Sequence, residues 1–447
     1  MAGVHPEPLL VAVGVIVVSA FFASLAFRVF RLPDTIFLIA LGMILGPALH
    51  WVDVELFRAI APFIGTVALI VILFEGGLKI RLADLASGVG MGALLALLVF
   101  VATALLCALI GMAVLNLDKA LALLLGMSLG GAGVVIVIPL IQRMDVGAAA
   151  RTMVSIEAAV SDILVVLGVV GLATALSFKE TGAADFAVHL LQNFAIGIIF
   201  GAGAGFGWVV ALKAFRERSY EYVLTISVLF LLYVATEFFR GSGALAVLVF
   251  GLVVGSSRKI ETLDEEERRA AATRHKRTWA YAPVFGGELV SLHHEVIFFL
   301  RAFFFVTLGV VVDLHVFGNA RFVAGGILLA FAVMLARFWG AGLLLYRSRL
   351  TTWERLAVAF MFPLGLAAAV VSLIPSTRFQ IPGTENFGAY AIVAIVATNL
   401  LAAALVFTFS QPRMRARLNA RSAAGPAWVA DKRGRAERSK PEARAKP

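Results

Sequence analysis

KALALLLGMSLGGAGVVIVIPLIQ, residues 119–142, and WERLAVAFMFPLGLAAAVVSLI, residues 353–374, are each long and apolar enough to cross a bilayer as helix. Each also carries residues that interrupt a helix. The first holds Gly130, Gly131 and Gly133 around Ala132, with Pro139 further on. The second holds Pro363 and Gly365 around Leu364. A break in a spanning helix frees N–H and C=O groups that lipid cannot satisfy, so it survives only where protein or water covers it.

Working outward, apolar blocks fill most of the chain. Thirteen segments stand out, at about 8–27, 33–51, 59–78, 90–115, 119–142, 153–177, 187–213, 220–239, 242–256, 295–317, 321–346, 353–374 and 386–410. With the seventh as a linker, segments 1–6 and 8–13 form two inverted repeats, and the fifth then corresponds to the twelfth. Interruptions at matching places in two halves point to a binding site near the bilayer midplane. The expected fold is an all-α polytopic membrane protein with thirteen transmembrane helices.

Composition agrees. Hydrophobic residues make up 61% of the 447 and charged residues 15%, against about 45–50% apolar in soluble domains. Ten-residue alternating strands are absent, which argues against an outer-membrane barrel. The N-terminal MAGVHPEP lacks a basic n-region, so the first block reads as a membrane helix rather than a cleaved signal. Lys and Arg concentrate in the loops after odd-numbered segments, which predicts an external N-terminus and a cytoplasmic C-terminus in the cell inner membrane. The formal net charge of +10 does not signal nucleic acid. The tail 411–447 alone holds eleven Lys or Arg against three Asp or Glu. A basic tail beside a membrane helix faces anionic lipid or water and is expected to be disordered. Residues 257–294, acidic first and basic last, read as a cytoplasmic connector. The single cysteine, Cys107, lies in an apolar block and reads as a small buried hydrophobe.

Charge inside the membrane is costly and marks function or pairing. Four ionisable residues lie well inside the segments: Glu157, Asp162, Arg301 and Arg337. From the cytoplasmic end of the sixth segment, Asp162 sits roughly 14 Å deep and Glu157 about 6 Å at ~1.5 Å per residue. At ~100° per residue their side chains diverge by about 140°, so they cannot form one carboxylate dyad. One should face a transport cavity and the other a protein partner. Arg301 and Arg337 both lie at depths that could meet Glu157, which reads as the paired group. Asp162 reads as a carboxylate that takes either a proton or a dehydrated alkali cation, the minimal chemistry of antiport. Its alternative is a staple to Arg301 or to a backbone break. Ser161 beside it could support either carboxylate. No nucleophile–base set, Walker motif or His-x-x-x-His pair appears, and His293 and His294 are simply adjacent. Neither an enzyme nor a cofactor is expected.

At these residues the chain resembles the monovalent cation:proton antiporter family, within the sodium/proton exchanger superfamily. The resemblance lies in ILFEGGLKIRLADL at 72–85, the Glu157–Asp162 spacing, HHEVIFFLRAFFFVTLGVVVDL at 293–314 and PLGLAAAV at 363–370, and it covers residues 8–410. It implies a homodimer built on helices at about 8–78 and 220–317. It also implies a core at about 90–177 and 321–410 that moves as an elevator, with the two interrupted helices crossing at the ion site. It assigns Asp162 as the residue carrying Na+ or K+ and H+, and Glu157 as the partner of Arg337. Three departures stand out. Ser161 stands where many relatives have Asn, Gly131, Ala132 and Gly133 replace a Thr-Asp-Pro, and Leu364 replaces an arginine. Coordination of a transient alkali cation then falls to Asp162, Ser161, Ser128, backbone carbonyls and water. One titrating carboxylate favours electroneutral exchange. The alternatives are a sodium-coupled small-molecule symporter and a transport-dead sensor on the same fold.

Overall fold

A computed structural model describes residues 11, 13–22, 34–79, 90–142, 144–177, 183–214, 221–256, 287–346, 348 and 350–409. The basic tail and most of the 257–294 stretch lie outside the described residues. The regular structure described is entirely helical. In chain order the helices are α1 (Val13–Phe22), α2 (Asp34–Met43), α3 (Val54–Lys79), α4 (Gly90–Ala113), α5 (Lys119–Ser128), α6 (Val134–Gln142), α7 (Ala148–Ser177), α8 (Ala183–Ala214) and α9 (Glu221–Phe238). They continue with α10 (Gly243–Ser256), α11 (Gly287–Val311), α12 (Ala320–Leu345), α13 (Thr352–Ala359), α14 (Leu366–Thr377) and α15 (Phe387–Phe409). Among the described residues, seven helices have the length and apolarity to cross a membrane. The chain is a multi-pass membrane protein.

Two groups of helices share the core. In one, α11 packs on α2 and α3, and α3 also meets α9. In the other, α4 packs on α5, α7 and α12, α12 on α15, and α14 on α7 and α15. The groups touch where α3 meets α7 and α14. Without a hydrophobic force between helices in lipid, close backbone approach does the work. The α2–α11 crossing shows this: a Cβ on Gly42 would overlap the Val306 carbonyl, and one on Gly309 the Ile39 carbonyl.

Several sequence-derived bounds are corrected. Helix α3 begins at Val54 rather than 59, and α7 at Ala148 rather than 153, because Glu55, Arg58 and Arg151 lie on helix although they lower hydropathy. Residues 287–294, placed in the connector, form the first turns of α11. Pro139 is not a break position: it lies within α6. A proline there costs one i→i−4 bond in a nine-residue helix. The chain leaves the helix earlier, at the glycines.

Candidate functional site

The fifth segment is helix as α5, irregular through 129–133, and helix again as α6. The twelfth is helix as α13, irregular through 360–365, and helix again as α14. The two breaks cross in contact. The Gly133 N–H donates to the Pro363 carbonyl at 2.9 Å. A Cβ on Gly133 would stand 2.6 Å from the Gly365 Cα, so backbone meets backbone with no room for a side chain on either.

Side chains from the next helix satisfy each break. In the first, the Ala132 N–H donates to Ser161 Oγ at 3.1 Å, and Ser161 donates to the Ala158 carbonyl at 3.0 Å. In the second, the Leu364 N–H donates to Thr398 Oγ1 at 3.3 Å, and Asn399 Nδ2 donates to the Leu364 carbonyl at 3.0 Å. Ser161 lies on the sixth segment, while Thr398 and Asn399 lie on the thirteenth, its counterpart under the repeat. The same job is done at equivalent places in both halves. Sequence reasoning missed Thr398 and Asn399. Their signal was a polar pair in an otherwise apolar span.

Asp162 stands at the middle of α7. It is buried and lines a cavity of about 30 Å³ together with Gly133, Val134, Leu366, Ala367 and, from α3, Glu75. That is room for a water or two. The backbone of Gly131 faces the same carboxylate: a Cβ there would lie 3.2 Å from Asp162 Oδ1. Val134 opens α6 and Leu366 opens α14, so two half-helix N-termini, each a partial positive charge, converge on the cavity. Leu364, in the second break, is fully buried and brings no charge. Glu75, in the quoted Phe-Glu-Gly-Gly stretch, was not singled out as a site residue, yet it brings a second carboxylate to the cavity.

Glu157 lies elsewhere. Its Oε1 is 2.5 Å from Arg337 Nη1, with both side chains essentially inaccessible. Arg337 also donates through Nε and Nη2 to the Val358 carbonyl, at 3.2 and 3.1 Å. Val358 is in the last turn of α13, where the helix dipole is negative, so the guanidinium neutralises two charges at once. Arg301 is taken by Asp34 at 2.5 Å, within the α2–α11 contact. It therefore does not serve as the staple for Glu157. Ser128 donates to the Leu125 carbonyl at 2.7 Å, and neither it nor Ser161 is among the residues lining the cavity. Helices α7 and α13 are joined a second time at their starts: Glu354 Oε1 accepts from the Gly147 N–H at 2.9 Å, while its Oε2 accepts from the Thr351 N–H in the α13 capping box.

The family model of the transmembrane sodium/hydrogen exchangers matches residues 16–410. Over 209 residues the chain is 29% identical to the K(+)/H(+) antiporter NhaP of Alkalimonas amylolytica, an alignment covering 46% of this chain and 36% of that protein. The chain therefore spans little more than a third of the curated relative it matches. Its fold is similar to the sodium proton antiporter MjNhaP1 of Methanocaldococcus jannaschii in the structure at pH 8. The TM-score is 0.69 at 22% identity, covering 91% of this chain and 98% of that one. An electron-microscopy structure of the same antiporter gives 0.66 at 20% identity, covering 90% and 96%.

Proposed function

The chain belongs to the transmembrane sodium/hydrogen exchanger family, and from that premise we propose that it exchanges Na+ or K+ for H+ at Asp162, one carboxylate serving both ions in turn. The observation that carries this reading is the placement of Asp162. It sits halfway along α7, in a small cavity walled by Gly133 of the first break and by the starts of α6 and α14. A carboxylate in a low-dielectric setting resists standing alone as an anion and takes either a proton or a cation. The cavity is too small for a hydrated alkali ion, so a bound ion sheds water and needs replacement oxygens. Asp162 and Glu75 line the cavity and, with the neighbouring Ser161 hydroxyl and backbone carbonyls of the breaks drawn in on binding, supply that chemistry, which suits a hard monovalent cation. Ser161 contributes its remaining lone pair; Ser128 would have to exchange its present bond to Leu125 to take part.

Glu157 and Arg337 form the frame, joining α7 to α12 and to the end of α13. The helices at about 90–177 and 321–410 move together as an elevator core, against a scaffold of helices at about 8–78 and 220–317 through which two copies form a homodimer. A proton and a cation bound alternately by one carboxylate give a 1:1, electroneutral cycle.

The test is proton flux in proteoliposomes holding a pH gradient, with Na+, Li+ and K+ added in turn. Cation addition should dissipate the gradient, and a potential clamped with valinomycin and K+ should leave the Na+-driven rate unchanged. Asp162→Asn should abolish the flux in protein that remains folded. Flux persisting in that variant would end the assignment.

A further inference from the structure

Glu237, near the end of α9, and Arg378, the C-cap residue of α14, meet across the seam between the two helix groups. We infer that this pair is a latch, closed in the conformation seen here, which opens each time the core slides past the scaffold. The inference rests on the elevator reading above.

The latch has a rigid socket. Glu237 Oε1 accepts from the Gly243 N–H at 2.8 Å, at the start of α10. The corner between α9 and α10 is pinned by α8: Asn193 Nδ2 donates to the Arg240 carbonyl, and the Ser242 N–H donates to the Asn193 carbonyl, both at 3.0 Å. Arg240 turns that corner with φ of 58°. The carboxylate is thus fixed to its own group, with Oε2 presented to the other.

The bolt is equally well mounted. The Arg378 guanidinium donates through Nη2 to Glu237 Oε2 and through Nη1 to the Tyr233 hydroxyl at 3.1 Å. It lies 5.3 Å from the centre of the Phe379 ring. Its main chain closes α14, donating to the Ile374 carbonyl at 2.9 Å, where a cation suits the negative helix end. Helix α14 is a rod of about 18 Å at ~1.5 Å per residue. Its far end, Gly365, touches Gly133, and Leu366 and Ala367 line the Asp162 cavity. Motion of the cavity wall is therefore carried along one short helix to the latch.

Exposure separates this pair from the one beside the site. Glu157–Arg337 is sealed from water, so parting it would strand two buried charges. Glu237 and Arg378 keep 27% and 32% of their side-chain surface accessible. Water and salt can take over their charges when they part, so the pair can open and close in every cycle.

The experiment places cysteines at both positions, Glu237→Cys with Arg378→Cys, in the full chain in proteoliposomes; the native Cys107 is buried. A cleavable bifunctional thiol reagent should cut cation-driven proton flux by about tenfold or more, with reductant restoring it, while each single-cysteine variant keeps its flux under the same reagent. Full flux in protein shown by mass to be cross-linked overturns the latch. Separately, Arg378→Gln removes a brake on one state. The apparent cation KM measured from the two sides should then move in opposite directions by about two- to fivefold. Both values staying at wild type also overturns it. Absence of flux in the unmodified protein removes the exchange reading and the latch with it, whereas full flux under the cross-link removes the latch alone.

Discussion

Asp162 and Glu157 stand five residues apart on one helix and meet opposite surroundings, because five residues at ~100° each turn them about 140° apart. Asp162 reaches a cavity; Glu157 reaches a guanidinium. The second contact carries a stability prediction. Glu157→Gln leaves Arg337 buried and charged with neutral acceptors in place of its carboxylate, which should cost about 3–5 kcal/mol. Adding Arg337→Gln removes the stranded charge, so the double variant should unfold at a higher temperature than Glu157→Gln alone. Thermal unfolding of all four proteins in detergent measures the coupling. Strictly additive losses would mean that the two groups do not act as a pair. Ser161 carries a smaller load. Ser161→Ala leaves the Ala132 N–H unsatisfied in a dry setting, worth about 1–3 kcal/mol, and removes one of the site's oxygen atoms. The expected readout is a raised cation KM in the flux assay.

The decisive element is the pair of crossing breaks. Helix α6 opens immediately after Gly133, and α14 immediately after Gly365, because the crossing there admits no Cβ. Gly133→Ala must push two backbones apart, and neither can yield as the tip of a flexible side chain would. Overpacking of this kind costs about 1–3 kcal/mol. Here it also displaces the two helix N-termini that face Asp162. Cation-driven flux should fall by about tenfold or more, for a displacement of the order of 1 Å at the site. Gly342, with open space around it, is the control, and its alanine variant should transport normally. The fifth segment also shows why proline misled. Its ring removes one hydrogen bond locally, and α6 absorbs that loss at Pro139. A glycine run combined with a backbone crossing removes the helix altogether.

At the scale of the whole molecule, two groups of helices meet along a seam that holds Asp162 near its middle and the Glu237–Arg378 pair at one end. The loop charges predict which side is which. A reporter fused after residue 410 should be active only in the cytoplasm, and one at the N-terminus only outside. The reverse result would overturn the orientation. The sequence by itself determined that this is a helical membrane protein with two interrupted spans and buried charges, because lipid allows few ways to bury a backbone and because glycine runs and intramembrane charges are too costly to appear by accident; the exchanger family it carried only as a motif resemblance. It also marked Asp162 and Glu157 as residues in different surroundings, since helical geometry alone divides them. Depth alone left open which arginine Glu157 meets, since Arg301 and Arg337 lie at similar depths, and only the resemblance named Arg337; the packing of α7 and α12 on the shared helix α4, and of α2 against α11, brings Arg337 to Glu157 and Arg301 to Asp34. The sequence also said nothing of Glu75 at the cavity, of Thr398 and Asn399 on the second break, or of Arg378 reaching Glu237. Those contacts join residues from 34 to 141 apart in the chain, and periodicity along a helix carries no record of what lies beside it.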